Sequence, residues 1–469
     1  MELSFMQIKT LRELKSTTPA SSISLSLFAS VAVGRQPSPY QLTQSQQCRL
    51  QRASSSQPSQ QIEYEGDITE LWNENEDQFQ CAGVTPMRNT LRPNALSLPN
   101  YHPAPRLIYI EQGEGLLGVT FPGCAETFQS EKSQEGRGEE EQEEGGSSRR
   151  DYHQKIPRIR RGDIIALPPG VNHWCYNDGN EDLIAVSIND LNHQSNQLDQ
   201  KLRAYYLAGG APRRGQQGLR SQEARETFNS VMDGFDPQLL AEAMNVPEEL
   251  VRRMQNQNER GLIVIAQEGM SMIRPDEREE QGEYGFRSNG FEETFCTMRL
   301  HQNIDERREA DIYSKQASRI NIVNQHKLPI LRFLDMSAER GNLYPNALYT
   351  PHWTINSHSI VYVTRGQAQV QIVDNRGQNV MNDRVNEGEM FVIPQYFAPT
   401  MRAGTNGLEF LSFRTNGSPL KSAVGGYTSV LRAMPLEVIT NAYKMSPSQA
   451  EGLKFNTGRQ TYLASGRSS

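Results

Sequence analysis

Gly162-Asp-Ile-Ile-Ala-Leu-Pro-Pro-Gly-Val-Asn-His-Trp-Cys-Tyr-Asn177 decides how the rest of the chain is read. Asp163 to Leu167 is a β-branched, apolar run, Pro168-Pro169-Gly170 stops it and turns the chain, and a second β-rich run carries His173. Glycine and proline at those places shape a turn between antiparallel strands. The opening recurs as Gly388-Glu-Met-Phe-Val-Ile-Pro394, and Leu107-Ile-Tyr-Ile-Glu-Gln-Gly113 is answered by Ile360-Val-Tyr-Val-Thr-Arg-Gly366. The chain is therefore an internal duplication.

Other short runs, such as Arg106 to Ile110 and Leu183 to Ser187, are bounded by Gly, Pro or Asn and read as strands of a sandwich. A helical stretch closes each half, Pro237 to Met254 and Pro435 to Leu453. Val246-Pro247-Glu-Glu249 matches Ser446-Pro447-Ser-Gln449, with proline and then an acid or amide where a helix starts. The expectation is an all-β-dominated fold of two equivalent jelly rolls, each followed by a small helical extension. Residues 35–60 are rich in Gln, Ser and Pro, show no apolar periodicity and read as a mobile arm, with order expected to begin near Ile62. Glu131 to Asp151 and Arg274 to Ser288 are dominated by charge and glycine and read as exposed loops.

Gly162, Pro168, Gly170, His173 and Asn177 resemble the second cupin motif at every defined position, which makes the expected fold a bicupin. In metal-binding cupins the histidine, here His173, points into the barrel as a ligand, and a first motif adds two histidines and a glutamate. Counting back from Gly113, the glutamate position is Arg106 and the histidine positions are Asn100 and His102. In the second half the same positions are Ser359, His352 and Thr354, and Pro394-Gln-Tyr396 has lost its histidine. A guanidinium beside a cation is repulsive, so no metal, no cofactor and no catalysis are expected, and His102 and His173 are read as vestigial. No Gly-x-Ser-x-Gly elbow and no phosphate loop offers another chemistry.

The chain has 469 residues, enough for two or three domains, and no apolar run reaches the roughly 20 residues of a membrane-spanning helix. It holds 38 Arg, 38 Gln and 30 Asn against 10 Lys, a nitrogen-rich composition that suits storage without proving it. Charge is uneven: residues 1–289 carry 29 Lys+Arg against 40 Asp+Glu, a net −11, whereas 290–469 carry 19 against 15, a net +4. No dense basic stripe with interleaved aromatics speaks for nucleic acid. At the N-terminus, Lys9, Arg12 and Lys15 precede the apolar Ile23 to Val33, with small residues at the −3 and −1 positions of a cleavage site, a signal-peptide pattern. Five cysteines, Cys48, Cys81, Cys124, Cys175 and Cys296, without a Cys-x2-Cys pair, favour two disulfides and one buried thiol in a secreted chain, and spacing leaves the pairing open. Cys175, between Trp174 and Tyr176, reads as buried and inert.

Asn289-Gly-Phe-Glu-Glu-Thr-Phe-Cys-Thr-Met298 is the most specific segment, and it resembles the processing site of the legumin-type (11S) seed storage globulins, with Phe291 where leucine is usual. Gln80-Cys-Ala-Gly-Val84, Phe121-Pro-Gly-Cys-Ala-Glu-Thr127 and Asn196-Gln-Leu-Asp199 extend the resemblance, which runs from about Cys48 to Leu453. It implies cleavage between Asn289 and Gly290 by an asparaginyl endopeptidase, a Cys48–Cys81 bond within the first fragment, and a Cys124–Cys296 bond across the cut, with Cys175 left free. The implied organisation is a signal peptide over 1–34, an acidic chain over 35–289 with a first cupin domain at about 62–257, and a basic chain over 290–469 with a second at about 303–458. It further implies precursor trimers that become hexamers after cleavage, delivery to the seed's protein storage vacuole, and membership of a family in which food allergens are common. The function implied is a nitrogen and amino-acid reserve mobilised by proteolysis. The rival readings are a metal-dependent bicupin oxidase or decarboxylase, and a sugar- or hormone-binding barrel around His173 and Trp174.

Overall fold

A computed structural model describes residues 48, 50–126, 128–129, 152–210, 229–255, 261–266, 296–306, 310–457 and 461–465. The segment expected as a signal peptide, both charged loops and the Asn289-Gly290 pair lie outside them.

The first barrel is built from two antiparallel sheets. One runs in the order Gln60–Glu63, Ile68–Leu71, Val84–Leu91, Leu183–Asp190, Arg106–Gln112, Asp163–Leu167, His301–Asn303. The other runs Tyr205–Tyr206, Ala95–Tyr101, Asn172–Tyr176, Glu114–Thr120, Arg158–Arg160, with Ile263–Ile265 also paired to Ala95–Tyr101. Non-sequential neighbours in both sheets are the jelly-roll signature, and closing sheets over each other hides strand edges. In the second barrel Ser337–Leu343, Ala398–Arg414 and Ser359–Val373 lie side by side, as Val84–Leu91, Leu183–Asp190 and Arg106–Gln112 do in the first.

Period-2 alternation explains why these segments are strands. Along Ser359–Val373, Ala368, Val370 and Ile372 are buried while Gln369 and Gln371 face water. Its first half is buried on both faces: Val361 and Val363 join the interior cluster of the second barrel, whereas Ile360 and Tyr362 join a cluster shared with the first barrel's Leu107, Ile164 and Ile188. Each such aliphatic side chain contributes about 1.5–3 kcal/mol by leaving water, so the shared cluster joins the barrels through their cores. Trp72 of the first half meets Tyr362 of the second edge-on at 6.3 Å between ring centres.

The arm read as mobile up to residue 60 is corrected from Leu50 onward. Leu50 and Ala53 are buried in the second barrel's cluster, and Ser56 exchanges two backbone hydrogen bonds of 2.9 Å with Met390. The physical reason is that this order comes from distant pairing; nothing in local periodicity could announce it. In return, His301–Asn303 completes the edge of the first barrel's sheet against Asp163–Ile165.

The helical stretches each resolve into a pair: Pro237–Met244 with Glu248–Gln255, and Leu436–Tyr443 with Pro447–Phe455. Asp236 caps the first by accepting from the Gln238 and Leu239 backbone N–H groups, and Ser446 with Gln449 forms a full capping box on the last. Asn245 and Lys444 end the first member of each pair in the left-handed conformation.

Candidate functional site

The strands bring the motif residues together inside the first barrel. Asn100 and His102 end the Ala95–Tyr101 segment, Arg106 opens Arg106–Gln112, and His173 lies opposite Asn100 on Asn172–Tyr176. The rings of His102 and His173 stack with centres 5.5 Å apart. His102 Nε2 lies 2.9 Å from Asn100 Oδ1, and the Asn100 amide nitrogen donates to the Leu98 carbonyl at 2.8 Å. His102 Nδ1 faces the Arg203 backbone carbonyl at 3.0 Å and Arg106 Nη2 at 3.2 Å, and Arg106 Nε donates to Asn189 Oδ1 at 2.8 Å.

Both ring nitrogens of His102 thereby have polar neighbours within hydrogen-bond distance. Burial and then the Arg106 guanidinium hold His102 well below the usual histidine range, and the same two causes bring His173 down to about 3. Of the four cupin ligand positions, Asn100, His102, Arg106 and His173, one is a guanidinium and one an amide, a set that does not fit a divalent cation. Among the described residues no group of three or more His, Cys, Asp or Glu could hold one.

The second barrel uses the corresponding space differently. Thr354 and Ser359 both accept from Arg414 Nη1, at 3.0 and 2.9 Å, and Arg414 Nη2 donates to Glu339 Oε2 at 3.0 Å. The Lys421 ammonium also donates to Glu339 Oε2 and, at 2.6 Å, to the Tyr349 hydroxyl, which donates to Glu339 Oε1 at 2.8 Å. His352 Nδ1 donates to the Thr350 carbonyl at 2.8 Å and its ring lies 4.4 Å from that of Tyr349. Burial alone would raise the Glu339 carboxyl, but Arg414 and then Lys421 pull it down to about 2. Lys421 shares that one carboxylate with Arg414, so burial wins there and its ammonium falls to about 8. Glu339, Arg414, Lys421 and Tyr349 carry no motif; only a charge inside an apolar strand, as in Phe410-Leu-Ser-Phe-Arg414, marks one of them in sequence.

Cys48 is bonded to Cys81 and Cys124 to Cys296. Cys175 is free and half-buried against the main core, where full burial was expected; desolvation and then Asp178 push its thiol up to about 12. A thiol held that high is almost wholly protonated at neutral pH. Titration of the native protein with a thiol-reactive chromophore at pH 8 should leave it unlabelled for hours, with one equivalent reacting after guanidinium is added. Labelling within minutes of mixing would contradict the burial.

A family model described as Cupin matches residues 53–211 and 302–451. The 11S globulin seed storage protein 2 of Sesamum indicum is 58% identical over 449 residues, covering 95% of this chain and 97% of the relative. The chain belongs to the 11S globulins of the cupin family. A second relative, the 11S globulin seed storage protein Ana o 2.0101 of Anacardium occidentale, is 44% identical over 441 residues, covering 91% of this globulin and 94% of the relative. The crystal structure of procruciferin, an 11S globulin from Brassica napus, superposes with a TM-score of 0.78 at 36% identity, covering 90% of this globulin and 99% of that chain. Seed storage is the function of this globulin, and its interior clusters are the filled barrels of a storage protein.

Proposed function

We propose that this globulin is a non-enzymatic nitrogen reserve, delivered through the secretory pathway to the protein storage vacuole by the leader over 1–34 and cut once between Asn289 and Gly290 by an asparaginyl endopeptidase. The observation that carries the non-enzymatic reading is the state of both barrel interiors: a guanidinium stands within each would-be metal site, Arg106 beside His102 in the first and Arg414 on Thr354 and Ser359 in the second. The 38 Arg, 38 Gln and 30 Asn supply the nitrogen. The acidic chain, residues 35–289, and the basic chain, residues 290–469, stay linked by Cys124–Cys296, and cupin domains at about 62–257 and 303–458 are the stable bodies.

Self-association into precursor trimers, and hexamers after the cut, is part of the same reading. It is supported by apolar side chains left exposed on the helical pairs: Leu239, Met244, Leu250 and Met254 on one, with Phe235 just before it, and Val438, Tyr443, Leu453 and Phe455 on the other. Clusters of this kind mark surfaces that a partner covers. No helix among the described residues is long and apolar enough to cross a membrane.

Seed-purified protein should give one band on a denaturing gel without reductant and two with it, the smaller beginning at Gly290 on N-terminal sequencing. A single band unchanged by reductant would remove both the cut and its meaning for assembly. Stoichiometric transition metal in such an uncut protein would favour an oxidase or decarboxylase instead.

A further inference from the structure

The two barrels can be laid over one another by strand register alone. In the first, Asn189 is opposite Thr85 on one side and Arg106 on the other; in the second, Arg414 is opposite Ser337 and Ser359. Two residues further back, Ser187 is opposite Met87 and Ile108, while Ser412 is opposite Glu339 and Val361. Each barrel therefore carries one guanidinium in the same place, supplied from neighbouring strands: Arg106 reaches across to Asn189, and Arg414 reaches back to Ser359.

The counter-charge is where they part. Glu339 neutralises Arg414, and the equivalent position in the first barrel is Met87, whose sulfur lies 3.9 Å from the Asn189 amide nitrogen. Arg106 is 6% exposed, and its hydrogen-bond partners among the described residues, Asn189 and His102, are both neutral. Tyr206, a phenol held up to about 12 by burial, is the titratable group whose charge bears on it. Burial lowers Arg106 to about 10, which still leaves it cationic at neutral pH. An ionised group taken out of water without a partner is costly, and proteins resolve the cost by pairing it.

We propose that the first barrel binds a small anion of carboxylate size, docked on the Arg106 guanidinium beside His102 and His173, in the role that the Glu339 side chain fills within the second barrel. A carboxylate suits the planar fork of a guanidinium, which presents two parallel N–H donors. The site is a cupin metal pocket turned inside out in charge: the glutamate position has become the cation, and the ligand has become the anion.

The test uses the full chain and sodium acetate as the probe. Thermal unfolding midpoints are followed from zero to about 100 mM acetate for the wild type, Arg106→Gln and Met87→Glu, so that general salt effects are common to all three. The wild type should show a saturable rise of about two to four degrees. Met87→Glu should start from a higher midpoint without acetate and lose the saturable response, because the site then carries its own carboxylate. Arg106→Gln should lose the response as well. If Arg106→Gln does not fold, Met87→Glu keeps the comparison intact, and crystals of the wild type grown in bromide should show an anomalous peak within about 3.5 Å of the Arg106 guanidinium. No saturable rise in the wild type, or the same rise in Met87→Glu, would overturn the proposal.

Discussion

Glu339→Gln is expected to lower the unfolding free energy at pH 7 by about 3–5 kcal/mol, the range found when one partner of a buried ion pair is removed. The carboxylate is 1% exposed and is the common acceptor for Arg414, Lys421 and the Tyr349 hydroxyl. Its loss strands two cations in the interior, and the amide that replaces it can neutralise neither. Urea unfolding of the two proteins gives the difference, and Glu339→Gln with Lys421→Met should recover part of it by withdrawing one stranded charge.

The same cluster fixes a pH dependence. Glu339 falls from an ordinary 4.5 to about 2 in the folded protein, so its stabilisation is full above 4.5 and is lost as pH falls toward 2. His352, brought from 6.5 to about 3 by burial and then by Lys421, binds its proton more readily when unfolded, so it too weakens the fold as pH falls from 6.5 to 3. Stability of the wild type should therefore decline on acidification from about pH 6.5, and Glu339→Gln should show a shallower decline between 4.5 and 2. Parallel curves for the two proteins would mean that Glu339 is not the charged acceptor described.

Cutting between Asn289 and Gly290 and then reducing Cys124–Cys296 should leave both fragments in a single species on native size-exclusion chromatography, and only denaturant should part them. The fragments hold one another by exchange. Ala53 donates to the Val380 carbonyl and Ser56 pairs with Met390, placing the first fragment's arm on the second barrel; the Gln78 side chain accepts from the Val392 N–H at 3.2 Å. From the other side Ala166 donates to Leu300 and Ile304 to Gly162, both at 2.8 Å, and Asn303 Nδ2 donates to Asp163 Oδ1 at 2.9 Å. Together with the shared apolar cluster, this interface resembles a domain core cut in half. Ala53→Asp puts an unpaired carboxylate at a fully buried position, a change that costs about 3 kcal/mol or more, and should loosen the pair measurably. Two separate peaks from the wild type under reductant alone would show the disulfide to be the true tether.

Much of this was legible in the residues. The duplicated Leu107 to Gly113 and Ile360 to Gly366 runs are the central strands of two barrels, and the Pro247 and Pro447 starts open helices. Cupin spacing located Asn100, His102, Arg106 and His173, which the fold brings to one place. Residues 50–56 misled because their order depends on partners more than 300 positions away, as in the Ser55 hydroxyl to Glu389 bond with a separation of 334. Glu339 and Lys421 were invisible, and Arg414 showed only as a charge in an apolar strand, for a related reason: their meaning is a register relation between strands, and a linear motif has no way to express it.

The exchange of segments also sets an order of events during synthesis. The sheet edge at Asp163–Ile165 is covered by His301–Asn303, which leaves the ribosome only after Asn289 and Gly290 have been made. Until then the first barrel presents an open strand edge, a template for pairing with other chains. The second barrel, for its part, needs Leu50 and Ala53 delivered from the earlier half. A nascent chain severed at Asn289 before it folded would expose both deficits at once, so in this architecture the proposed cut has to follow folding.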